Sequence, residues 1–513
     1  MTDLLFVNAN VMTMDPLCPR ADAVAIKGGR IFAVGTESNL KDLRNNRTEV
    51  IDLGGKTILP GFIDAHLHLR ALAESHVTLN MGPASGVSSI AHIQERIHQH
   101  ALKLQPGTWI RAGGYNEVYL AEQRDPNRWD LDAAAPRHPV KLTHRSGHAH
   151  VLNSLGLSYA GVSMETPDPE EGLMERDLET GEPTGVFHGL GDFLSKVIPP
   201  LDDSQLDLGV KLASQELVSR GITTIQDASS RNDTKRWHSF ERWKRDGSLR
   251  CRIIMMLGLK GFEEYQADRL SSNMEENHLR PGGVKIVLDE TTGKLYPSQE
   301  VLNELVLLIH KMGLQVAIHA IEETTVEAAC NALEHALRIF PRSSHRHRIE
   351  HCSVCPPELT RRIASFGGMV VTNPAFVYFS GERYLKTVPS HQLKFLYPIR
   401  SLMKKGVHVA AGSDAPVAPV DPLAGVYGAV SRKAQSGEVV LAEEGITSHE
   451  ALRMYTEIAA RSSFEEDFKG IIAPEKLADL VVLGADPTAV PIEEIKEIQV
   501  EMTILDGEVV YAV

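Results

Sequence analysis

Two histidines two positions apart, His66 and His68, follow the apolar run that begins Leu59-Pro60-Gly61-Phe62-Ile63. The alternation reads as a short buried strand opened by the turn pair Pro60-Gly61. Residues two apart on a strand point the same way, so both imidazoles can converge on one ion. The same spacing also arises from two satisfied histidines near a strand end, so later strand ends must decide between the two readings. His319 closes Val316-Ala317-Ile318, His351 closes Ile349-Glu350, and Asp414 stands just past the apolar Ala410-Ala411. A metal held by neutral imidazoles and a carboxylate lowers the pKa of bound water toward about 7, which supplies hydroxide at neutral pH. Lys285 lies inside the apolar run Val284–Leu288, on the face opposite Val284, Ile286 and Leu288. An unpaired ammonium there is strongly disfavoured, so the side chain is neutral, ion-paired or chemically modified, unless it snorkels from the strand end. Asp64 shares strand parity with His66 and either orients a ligand or serves the fold alone.

Elements that could position such a set recur from about Gly221 onward. Strand signals at 222–226, 251–257, 284–288, 315–319, 348–351, 369–372 and 408–411 alternate with amphipathic stretches such as 298–311 and 322–338. With the strand at residue 62 this predicts a (β/α)8 TIM barrel, an α/β fold whose chemistry belongs at the carboxyl ends of its strands. An open doubly wound sheet is the alternative, but no glycine-rich phosphate loop follows any strand. The first two strands are about 150 residues apart, so an inserted subdomain is expected at about 70–215, with a helix over 89–104 carrying Ile90, Ile93 and Ile97. Its polar cluster, from His144 and Arg145 to His148 and His150, suits a loop that lines a substrate pocket. Residues 1–58 and 472–513 are short strands and turns, including a hairpin turn at Asp506-Gly507. Neither end can bury its own apolar face, so they are expected to pair into one composite β-sandwich beside a barrel domain over 59–471.

At 513 residues the chain needs more than one structural unit. Five scattered cysteines argue for a reducing compartment, and no signal peptide or span of roughly 18 apolar residues stands out, which together predict a cytoplasmic protein. A net charge of −14 with no basic tract argues against nucleic acid or an anionic membrane as partner. A small-molecule substrate remains, and a homo-oligomer is left open. Cys352-Ser353-Val354-Cys355 has redox or zinc spacing but no second such pair, and Ser344–Arg348 reads as a solvated approach to the sixth strand.

The set His66, His68, Lys285, His319, His351 and Asp414 resembles the metal site of the amidohydrolase superfamily. The framing runs Leu59–His68 and Ala478–Leu483 resemble it too. In the insertion, Trp109-Ile110, Gly113-Gly114-Tyr115, Leu131-Asp132, Pro139-Val140, Gly147-His148, Val151–Ser154 and Pro183–Gly185 resemble the amidohydrolase-3 branch, which includes N-substituted formamide deformylases and relatives of the D-aminoacylases. The resemblance implies zinc or a similar divalent ion, a barrel with a composite sandwich, and hydrolysis of an amide or other non-peptide C–N bond. One departure stands out: the loop Asp289–Pro297 replaces the Asp-Gly-Ser type of turn usual after the fourth-strand lysine. Asp414 then suits a proton shuttle from the attacking water to the departing amine. A buried neutral Lys285 can add carbon dioxide, and the carbamate would bridge two ions, one on His66 and His68 and the other on His319 and His351; a single ion is the alternative. Arg145 and His148 are the candidate substrate-binding residues, Arg145 for a carboxylate. Two other functions stay in view: a deaminase of a heterocyclic or aminated ring on the same barrel, and a barrel scaffold without catalysis.

Overall fold

In the computed structural model, residues 2–169, 172–268 and 278–513 are described. They divide into two units, one of residues 1–69, 214–288 and 299–513 and the other of residues 70–213 and 289–298.

The first unit is built on one eight-stranded sheet, whose strands follow each other in chain order: β1 (Phe62–Leu67), β2 (Ile222–Asp227), β3 (Arg252–Leu257), β4 (Leu279–Val287), β5 (Val316–Ala320), β6 (Arg348–His351), β7 (Met369–Thr372) and β8 (His408–Ala411). Every neighbouring pair is parallel. Helices such as α1 (Gln299–Lys311) and α2 (Glu323–Ile339) connect successive strands and cover the outer face while the inner face closes on itself, so strands such as β2 and β3 are buried at every position. This is the (β/α)8 barrel expected from the strand–helix alternation.

The ring closes between its first and last strands through the segment after β8. Asp414 donates its backbone N–H to the carbonyl of His66 (2.7 Å), and His68 donates to the carbonyl of Ala415 (2.9 Å). Gly412 lies so close to β1 that a Cβ there would sit 2.5 Å from the His66 nitrogen. Only glycine permits this approach.

Two further sheets accompany the barrel in this unit. One has four strands, all from residues 4–52; the other has six and mixes the chain ends, with Leu480–Leu483 pairing antiparallel to Thr57–Pro60. Leu4, Phe6, Val24, Ile58, Leu480, Val482 and Ile504 share one apolar cluster. The run at Leu59 is therefore two strands, not one: Leu59 and Pro60 belong to the sandwich sheet, and the barrel strand starts at Phe62. Gly61 makes the switch beside Thr223, whose side chain a Cβ would overlap at 2.4 Å.

The second unit carries a sheet of six strands, with Val140–His144 paired parallel to Ile110–Tyr115 on one side and antiparallel to Ala149–Leu152 on the other. The helix Ile90–Ala101 packs Ile90, Ile93 and Ile97 into the unit's core, and Ser89 caps it by accepting from the His92 N–H. The segment after β4 counts in this unit, pinned into a loop by reciprocal backbone bonds between Asp289 and Tyr296 (3.0 and 2.8 Å).

One expectation fails. Ser344–Arg348 is not a solvated approach, because His345, His347 and Arg348 are buried. His347 accepts the Val316 N–H on Nδ1 (3.0 Å) and meets His310 Nδ1 through Nε2 (2.7 Å), while His310 Nε2 reaches the Phe340 carbonyl (2.6 Å). Burial, the largest influence on each, holds all three histidines below their ordinary pKa. A polar run is hidden here because neutral imidazoles satisfy each other and the backbone, which composition alone does not reveal.

Candidate metal centre

The carboxyl ends of β1, β4, β5, β6 and β8 bring five positions into one interior, and His68 follows directly after β1. His66 Nε2 lies 3.5 Å from Asp414 Oδ1 and 3.4 Å from Lys285 Nζ. His68 Nε2 is 3.0 Å from the same Asp414 oxygen. The His351 ring is 4.7 Å from that of His66 and 4.4 Å from that of His319, centre to centre. His66, His351 and Asp414 each offer a ligand atom within 4.8 Å of the other two, the one such trio among the described residues. Arg145 and His148 belong to the second unit, in the turn between Val140–His144 and Ala149–Leu152; Arg145 is half-buried and His148 exposed.

Each histidine of the trio is turned by a specific partner. His351 Nδ1 meets Asn373 Oδ1 at 2.7 Å, so that nitrogen carries the proton and Nε2 keeps its lone pair. Asn373 is fixed in turn by donating to the Gly412 carbonyl (3.0 Å). His66 Nδ1 meets Glu350 Oε2, and Arg348 grips the same carboxylate through Nε and Nη2. His68 Nδ1 lies 3.2 Å from Ser229 Oγ. Asp227 holds the turn beyond it by accepting from the Leu69 N–H (2.7 Å), the Ser229 N–H (3.0 Å) and the Asn232 amide (2.7 Å).

Burial pushes His66 well below its ordinary pKa, with the charge of Lys285 adding to the effect; burial also lowers His351. Burial alone would raise Asp414, but the adjoining imidazoles of His68, His351 and His66 outweigh it and hold the carboxyl far below the usual range. Lys285 is lowered to about 8, chiefly by burial, against the opposing pull of Glu350 and Asp414. Neutral imidazoles beside an ionised carboxylate are the protonation states that a divalent cation requires. His351 Nε2 is buried with no hydrogen-bond partner, and Asp414 Oδ1 is crowded by two imidazole nitrogens, His68 Nε2 at 3.0 Å and His66 Nε2 at 3.5 Å. An acceptor nitrogen left unpaired in a core, beside lone pairs gathered on one carboxylate oxygen, is costly unless something electropositive sits among them, so the donor set fits a metal ion.

A profile of the amidohydrolase family matches residues 49–511. The chain belongs to this family. The N-substituted formamide deformylase of Arthrobacter pascens is 31% identical over all of this chain and 98% of that enzyme. The putative amidohydrolase YtcJ of Bacillus subtilis is 29% identical over 96% of each chain. In fold, this amidohydrolase superposes on the crystal structure of an uncharacterized metal-dependent hydrolase from Pyrococcus horikoshii with a TM-score of 0.75, at 22% identity over 96% of this chain and 99% of that one. It is thus a metal-dependent hydrolase acting on carbon–nitrogen bonds.

Several residues of this amidohydrolase's centre escape a reading by spacing. Glu350 and Arg348 share the inward face of β6, whereas strand parity turns His351 outward. A left-handed backbone at His351 (φ 66°) and Cys352 (φ 49°) ends the strand and lets the ring reach the interior after all. Asn373 and Asp227 are polar residues at strand ends, a signal available in the sequence but shared with many loop residues. Asp64 touches no imidazole: its Oδ1 accepts the backbone N–H groups of His66 (3.1 Å) and Ser413 (3.0 Å), and burial raises it to about 6. Cys352 and Cys355 are buried free thiols.

Proposed function

We propose that this amidohydrolase cleaves the C–N bond of a small amide of the N-substituted formamide, N-acyl or urea type, with Asp414 as proton shuttle. The observation that carries this reading is Asp414 itself, an ionised carboxylate buried among His66, His68 and His351 with Oδ1 3.0 Å from His68 Nε2 and 3.5 Å from His66 Nε2. Those three imidazoles and Asp414 would hold a divalent ion of the zinc type, with His319 and Lys285 beside them for a second. Such an ion supplies Lewis acidity and water of lowered pKa, toward about 7. Asp414 takes a proton from the water as its oxygen attacks the carbonyl carbon. It then returns the proton to the nitrogen as the C–N bond breaks, so that the amine leaves neutral. Asp414 is ionised at neutral pH and so enters as the base of the first transfer. Asn373 and Glu350 keep the two buried rings facing the reacting centre while this happens.

The test is incubation of metal-loaded protein with N-formyl, N-acyl, urea-type and ring-amine compounds, following carboxylate and ammonia separately. Carboxylate and free amine from the amides are expected. Ammonia from ring amines alone would make the chain a deaminase, and no turnover of any class would exclude these substrate types.

In the second unit, Arg145 and His148 are proposed to hold a carboxylate of the substrate, Arg145 through its planar fork of donors. Alanine at either position should raise KM several-fold while metal content stays the same. Unchanged steady-state kinetics in both variants would remove the turn from substrate binding.

A further inference from the structure

Glu350 spends both of its oxygens inside the barrel. Oε1 accepts from Arg348 Nε, and Oε2 accepts from Arg348 Nη2 (2.9 Å) while meeting His66 Nδ1. All three guanidinium nitrogens are engaged: Nη2 also donates to the Ala65 carbonyl (2.6 Å) and Nη1 to Gln226 Oε1. Gln226 is anchored in turn, its amide donating to the Ala459 carbonyl (3.0 Å) and Ser462 Oγ (3.1 Å). Arg348, Glu350, Gln226 and His66 are all wholly buried. One arginine thus ties down both the carboxylate that touches the His66 ring and the backbone one residue before it.

We propose that Glu350, braced by Arg348, is a positioning residue that keeps the His66 proton on Nδ1 and so presents the Nε2 lone pair to the divalent ion. The step follows from donor and acceptor types. A carboxylate already accepting from an arginine has only acceptor capacity left, so the nitrogen facing it must be the donor. A neutral imidazole that donates from Nδ1 carries its lone pair on Nε2, the atom that faces Asp414 and Lys285. The bracing also keeps Glu350 from the metal, since neither oxygen can turn away without stranding a guanidinium donor.

Stability alone gives little reason for this pair. Burying an arginine and a glutamate costs desolvation that their attraction barely repays, and apolar side chains of similar volume commonly do as well. What an apolar pair cannot do is choose the tautomer of a neighbouring imidazole, and groups that do so commonly change metal affinity by about 10–100-fold.

The inference rests on the metal-hydrolase reading but not on the identity of the substrate, so its test is metal binding. Zinc affinity by chelator competition and the thermal midpoint of the metal-free protein are measured for wild type, E350Q and R348M/E350Q. Glutamine can donate as well as accept, so E350Q should bind zinc about 10–100-fold more weakly. The double variant removes the stranded guanidinium as well, so its midpoint should recover toward wild type while its zinc affinity stays low. If E350Q does not fold, the affinity of the double variant decides alone. Wild-type zinc affinity in E350Q, or affinity that recovers together with the midpoint in the double variant, would overturn the proposal and make Glu350 part of the packing only. A wild type that binds no divalent ion would remove the metal reading itself, an outcome distinct from either.

Discussion

Asp414→Asn should fold, retain its metal and lose about 10²–10⁴ of its turnover, the range expected when a general acid–base group is removed. The amide has nearly the shape of the carboxylate, and the backbone of this residue, which donates to the His66 carbonyl, is untouched. An amide oxygen can still lie beside the imidazoles, which is why metal content should survive. What is lost is the ability to accept a proton from water and hand it to the departing nitrogen. The measurement is kcat at saturating substrate with metal content determined on the same sample. A folded, metal-replete variant with kcat near wild type would take Asp414 out of the mechanism.

Lys285 should carry a carbamate. Lowering its pKa from 10.5 to about 8 raises the neutral amine fraction at pH 7 roughly 300-fold, and only that form adds carbon dioxide, forming an N–C bond and releasing a proton. The product is an anion whose oxygens could bridge two ions, with His66 and His68 serving one and His319 and His351 the other. Protein prepared in carbon-13 bicarbonate should then show a carbamate carbon and two metal ions per chain. Lys285→Ala should lose that signal, one ion and at least about a hundredfold in turnover, the scale of deleting one member of a preorganised charge-stabilising set. The compact trio His66, His351 and Asp414 takes one histidine from each half of that division, which a single central ion would also explain. Stoichiometry therefore decides: one ion per chain at saturation with no carbamate carbon would sink the bridged form and leave a mononuclear hydrolase.

Much of this centre is legible because barrel geometry is simple. His66, Lys285, His319 and Asp414 lie at or just past the ends of apolar runs, where strand periodicity and the one-sided chemistry of a barrel make a polar residue conspicuous. Glu350 escaped because it precedes His351 by one residue, and parity on a straight strand allows only one of the two to face inward. The left-handed turn at His351 and Cys352, which brings both inside, leaves no mark in the residue types, since neither is glycine. The division of Leu59–Leu67 between two sheets was hidden for a related reason. Both strands are apolar, and the break falls at a glycine demanded by Thr223, a residue distant in sequence. The burial of His345 and His347 likewise depends on partners at 310, 316, 340 and 366 that no local window contains.

The seam at Gly412 has a consequence for when, during the life of a molecule, chemistry becomes available. The hydrogen bonds that close the ring join residues 66 and 68 to residues 414 and 415, beside the ligand atoms themselves. A nascent chain emerging from the ribosome would already contain His66, His68, Lys285, His319 and His351 long before Asp414 is made. Those side chains would still lack the wall against which β1 packs. The strand feeding β1, Thr57–Pro60, must also wait for Leu480–Leu483, its antiparallel partner near the other end of the chain. Contacts between such remote positions bear the full loop-closure entropy before any reward arrives, and they come late. The interior that gathers these side chains is therefore expected to be completed only once the residues after β8 have packed against β1.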